Sequence, residues 1–127
     1  MTFSFSKKLP YDPDKTYAML MSALKVKNFT VLSYIDMKEI VEQKLKIPFK
    51  NYLILNVCRP DAAKELMDEN PEMGMFLPCK ILISPVDGGS TIEVLRISVL
   101  ARDYLHIENS AAAKYEDELI SVIAEIN

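Results

Sequence analysis

The stretch YLILNVC, residues 52 to 58, is apolar on both of the faces that a strand would present. Side chains alternate along a strand, so this run predicts a strand covered on two sides. One layer of helices covers one side only. The second side then needs another surface, and a second copy of the chain is the commonest way to supply one. An apolar patch left on a monomer would exceed what soluble proteins usually expose. Leu53, Leu55 and Val57 are therefore expected at a homodimer interface, with Leu82 and Leu95 repeating the pattern on neighbouring strands, and Ile54, Asn56 and Cys58 are expected to face the other layer.

Around that run the periodicity switches repeatedly between two and 3.6 residues. TFSFS alternates as a half-buried strand, with Phe3 and Phe5 on one face. Asp12 and Pro13 supply a helix cap and a first-turn proline, and Tyr17, Leu20, Met21 and Leu24 follow on one helical face that ends near Asn28. FTVLSYI reads as a strand, and Met37, Ile40, Val41 and Leu45 give a short helix closed by Pro48. Pro60 opens a helix through Met67, which DENPEMG breaks before a strand over 79–84. PVDGGS turns the chain back into the alternating strand TIEVLRIS. A last helix from Ser110 to Ile126 presents Leu119, Val122, Ile123 and Ile126. The order β-α-β-(α)-β-(α)-β-β-α predicts an α+β fold, an antiparallel or mixed five-stranded sheet with helices mainly on one face. A chain of 127 residues suits one domain with one core.

Charge narrows the partners. A formal net charge of -3 opposes binding modes that neutralise phosphates, so neither nucleic acid nor an anionic membrane is expected. No run approaches the roughly 20 apolar residues of a membrane span, and MTFSFSKKLPYDPDK has no signal-peptide core. The expected location is the cytoplasm, which also suits two free cysteines. Two separated cysteines and a single histidine, His106, fall short of a zinc-type ligand set, and no phosphate loop is present, so no metal and no cofactor are expected.

The two cysteines lie in ILNVCRPDAAKELMDENPEMGMFLPCKILI, each set against proline and an apolar run. Placed on adjacent strands, their Cβ atoms would come within about 7 Å. The plainest reading of each is a small buried hydrophobe. A thiol pair is the functional alternative, with Arg59, Lys80 and the helix start at Pro60 lowering the thiolate pKa of Cys58 and Cys79. The same features would suit a small anion. His106 reads as a surface or cap residue, and Met19, Met21, Met73 and Met75 as core filler. Tyr34, Tyr52 and Tyr104 could line a pocket.

This cysteine segment resembles the family catalogued as domain of unknown function 302. Tyr52, Cys58, Pro60, Pro71, Gly74, Leu77, Pro78 and Cys79 match its pattern of tyrosine, Cys-Asn-Pro, Asp-Pro-x-x-Gly and Leu-Pro-Cys-Asn. The resemblance extends over about residues 9 to 97. It implies a homodimer-forming α+β fold like that of the TATA-binding protein, and no known activity. The chain departs from the pattern at Arg59 and Lys80, which replace the asparagines after each cysteine, and at Asn56, which replaces a glycine. Arg59 cannot accept the helix-end N–H groups that asparagine would cap; Asp61 could interact with that end instead.

Three functions follow. A non-catalytic homodimeric binding or interaction module comes first, because nothing assembles a nucleophile, an oriented base and an oxyanion donor. A small-molecule ligand remains open as a partner of such a module. A thiol-dependent redox or sulfur-handling protein using Cys58 and Cys79 is the alternative. An enzyme using carboxylates such as Asp36 or Glu93 has no motif behind it.

Overall fold

In the computed structural model, which describes residues 2–127, local chemistry sets the element boundaries. Asp12 accepts the Lys15 N–H at 2.9 Å and Pro13 occupies the first turn, so α1 (Pro13–Val26) starts where the cap predicts. It follows β1 (Ser4–Leu9) and leads into β2 (Thr30–Asp36). Asp36 ends β2 and caps the next helix by accepting the Glu39 N–H at 3.1 Å; that helix, α2 (Met37–Leu45), stops at Lys46 in the left-handed region. Then come β3 (Leu53–Cys58), α3 (Pro60–Glu69), a 3-10 segment (Pro71–Phe76), β4 (Cys79–Val86) and β5 (Gly89–Leu95). A short α4 (Ile97–Leu100) runs into a π-helical turn (Ala101–Leu105), and α5 (Ser110–Ala124) closes the chain.

The five strands form one sheet in the order β1-β5-β4-β3-β2, every neighbouring pair antiparallel. The class is α+β, as the element order predicts. The β4–β5 hairpin turns at Asp87-Gly88, with Gly88 at φ 80. Gly89 begins β5 against the end of β1, and a Cβ there would lie 1.9 Å from the Leu9 carbonyl oxygen, so no other residue fits without moving backbone.

Alternation divides the sheet into two faces. Leu53, Leu55 and Val57 of β3 point the same way as Cys79, Ile81 and Ile83 of β4 and Ile92 and Val94 of β5, and all are buried. Leu20 and Leu24 of α1, Leu66 of α3, and Leu119, Val122 and Ile123 of α5 belong to the same core. Leu53, Leu55 and Val57 are each 0% exposed in the single chain, which overturns their expected place at a dimer interface. The physical reason lies in the competing face, Ile54, Asn56 and Cys58. Burying a leucine side chain contributes about 1.5–3 kcal/mol. An unpaired buried amide such as that of Asn56 would cost about 1–3 kcal/mol. The all-aliphatic row therefore turns inward under the helices. Ile54, Asn56 and Cys58 remain partly exposed on the opposite face, so within one chain β3 is covered on one side only.

Two smaller expectations also change. Phe3 precedes β1 and is 59% exposed, while Phe5 packs against the core, so the two do not share a buried face. Met73 is fully buried, and Met19 and Met21 pack at the core margin, but Met75 is 81% exposed.

Candidate functional site

β3 ends at Cys58 and the chain enters α3 through Arg59 and Pro60. Arg59 occupies the N-cap position without a side-chain capping bond. Its backbone N–H donates to the Tyr115 hydroxyl at 3.1 Å. Its guanidinium donates to Asp61 Oδ1 at 3.1 Å and to the Glu118 carboxylate, and lies over the rings of Phe29 and Tyr115 at 5.4 and 5.8 Å. Tyr115, 1% exposed, also neighbours the Cys79 thiol. Burial first, and then the neighbouring Cys79, push its hydroxyl well above the ordinary range. One phenol on α5 thus joins the end of β3 to the start of β4.

The two thiols are not brought together. β3 and β4 are neighbours as expected, but Cys79 stands across from Val57, on the core face. Cys58 follows Val57 and so belongs to the opposite face, with Ile54 and Asn56. Burial pushes the Cys79 thiol up to about 12, a rise that the neighbouring Tyr115 hydroxyl only partly offsets. Desolvation, followed by the Asp61 charge, also raises Cys58. Both shifts oppose thiolate formation.

The cations expected to activate the thiols are engaged elsewhere. Asp61 and Glu118 pair with Arg59, and the Lys80 ammonium donates to Asn56 Oδ1 at 2.9 Å, on the face away from Cys79. The same two carboxylates stand beside Arg59 where the anion reading would place its ligand. A cleft of about 330 Å³ next to it, lined by Lys27, Phe29, Arg59, Glu118, Ser121 and Glu125 among others, carries both signs of charge. Asp61 interacts with Arg59 rather than capping α3.

The uncovered face of the sheet is the more coherent feature. Ile35 of β2 pairs with Ile54 of β3, Ile54 with Leu82 of β4, and Leu82 with Glu93 of β5, giving one row across four strands. These apolar members are partly exposed and stand apart from the main core. Beside them runs a polar row: Lys80 donates to Asn56, whose Nδ2 donates to Ser33 Oγ at 2.7 Å. Ser4 Oγ donates to Glu93 Oε2 at 2.7 Å. Phe3, Ser4, Lys80, Leu82, Glu93 and Leu95 enclose a shallow depression of about 130 Å³.

The remaining sequence candidates stay dispersed. His106 ends the π-helical turn in a left-handed conformation and is exposed, a cap position as expected. Tyr34 packs on Tyr17 at 5.0 Å, Tyr52 lies under Lys50, and Tyr104 is 73% exposed, so each tyrosine has separate surroundings. Asp36 is spent on capping α2. Among the described residues no three of His, Cys, Asp and Glu converge as metal ligands, and no helix is long and apolar enough to cross a membrane. Sequence reasoning missed Tyr115 and Glu118. A usable signal existed for Tyr115, which falls one turn before Leu119 on the buried stripe of α5, and a buried tyrosine needs a partner for its hydroxyl.

The fold and the family are both matched by comparison. The family model described as "Domain of unknown function DUF302" matches residues 5–126. A crystal structure of an uncharacterized conserved protein DUF302 from Bacillus stearothermophilus superposes with a TM-score of 0.89 at 24% sequence identity, covering 100% of both chains; at that identity the likeness concerns the fold alone. No curated protein matches the chain.

Proposed function

The chain belongs to the family of domain of unknown function DUF302, and from that premise we propose that it is a non-catalytic binding or interaction module that works as a homodimer through its uncovered sheet face. The observation that carries this reading is the partly exposed row Ile35, Ile54 and Leu82 on the side away from the helices, next to a depression that Phe3 and Leu95 help to line. Supporting it, both sheet edges are built against strand addition. β2 carries a bulge between Val31 and Ser33, and β1 carries Lys7 and Lys8. Association by the face, rather than by an edge, follows from those devices.

A cytoplasmic setting is part of the reading, supported by two free cysteines. Sedimentation at micromolar concentration tests the assembly. The wild type is expected to sediment as a dimer, and Leu82→Lys as a folded monomer. A monomeric wild type, or a Leu82→Lys variant that is folded and still dimeric, would sink the proposal. Native mass spectrometry of protein from its own source, searching for retained mass, tests for a small ligand.

A further inference from the structure

Lys80 and Glu93 stand on adjacent strands at the border of one depression, a cation and an anion that do not pair with each other. Leu82, not Lys80, is directly across from Glu93 in the β4–β5 ladder. Each charge is instead held by a neutral neighbour: Asn56 accepts from Lys80, and Ser4 donates to Glu93. Among the described residues neither has an ion-pair partner.

We infer that the uncovered sheet face meets the same face of a second copy about a two-fold axis, and that Lys80 of each copy pairs with Glu93 of the other. This rests on the homodimer reading above and adds its register. In a two-fold interface a contact from one residue to another is repeated in reverse, so one complementary pair becomes two. An axis through either residue would set like charges against each other, which opposes association. The favoured axis therefore passes between them, over the depression, where Leu82 and Leu95 meet their own counterparts. Facing sheets lie roughly 10 Å apart, a gap that a lysine and a glutamate reaching from opposite sides can close. The bonds to Asn56 and Ser4 hold both side chains in place beforehand, which reduces the entropy lost on pairing.

Charge reversal tests the register separately from the assembly. Lys80→Glu and Glu93→Lys, each measured by sedimentation equilibrium with circular dichroism to verify folding, should raise the dimer dissociation constant about tenfold or more, equivalent to about 1.4 kcal/mol. The double variant should return close to wild type. If either reversal fails to fold, Lys80→Met and Glu93→Gln replace it, and each should weaken the dimer in the same direction. A wild-type dimer whose dissociation constant is unmoved by the single changes, or is not restored in the double variant, overturns the pairing and leaves the homodimer standing. A wild type that sediments only as monomer overturns both.

Discussion

Cys79 stands opposite Val57 across the β3–β4 ladder, one residue short of Cys58. That single step places the thiols on opposite faces of the sheet, one in the core and one on the uncovered side. Burial raises both thiols. In 5,5′-dithiobis(2-nitrobenzoate) titration at pH 7, Cys58 should react more slowly than free cysteine and Cys79 only on unfolding. Mild oxidation should give no bond between them. Rapid loss of two thiols from the folded protein, or an intramolecular Cys58–Cys79 disulfide in the mass spectrum, would revive a thiol-pair function.

Tyr115→Phe removes the hydroxyl that accepts the Arg59 N–H and neighbours the Cys79 thiol. Leaving a backbone donor without its partner should lower stability by about 1–3 kcal/mol in urea unfolding. Unchanged stability would mean that water replaces the phenol and that the link between β3, β4 and α5 is incidental.

Leu55 and Leu82 sit on opposite faces of the same sheet, one fully buried and one partly exposed. Leu55→Ala should cost about 2–5 kcal/mol, the range for leucine truncation in a packed core. Leu82→Ala should cost clearly less at concentrations where the chain is monomeric, so equal losses would contradict the assignment of faces.

Glu69 accepts the Ser110 and Ala111 N–H groups at the start of α5, and these bonds, that of Ser110 first, hold its carboxyl below the usual range against a smaller opposing effect of desolvation. A carboxylate with a lowered folded-state pKa stabilises above its unfolded value, and that stability is lost as pH falls through the folded value. Glu69→Gln should therefore be less stable than wild type at pH 7, with the gap closing in acid. A gap that is the same at pH 7 and pH 3 would show that the charge of Glu69 does not matter.

Local sequence was enough for the elements. The Asp12 cap and Pro13 place the start of α1, the 3.6-residue spacing from Met37 to Leu45 gives α2 to the residue, and Asp-Gly-Gly forces the β4–β5 turn. The buried stripe of α5 was also legible, with Leu119, Val122 and Ile123 all inside. Each of these depends on residues within one or two turns of one another, so the chain states them directly.

Which face of β3 turns inward was written less plainly, in Asn56 alone. Alternation assigned Leu53, Leu55 and Val57 to one side and Ile54, Asn56 and Cys58 to the other, but both rows read as apolar, and only the cost of burying the amide separates them. The sequence could still have decided this, with the two rows weighed against each other. The register between Cys58 and Cys79 is different in kind. Residues 59 to 78 intervene as α3 and the 3-10 segment, and a shift of one residue in the β3–β4 pairing would put the two cysteines on the same face without altering any local signal. Only the closed sheet, with Val57, Cys79, Ile81 and Leu55 turned together under α1, α3 and α5, selects that register, because only there does the cost of exposing a buried aliphatic row exist.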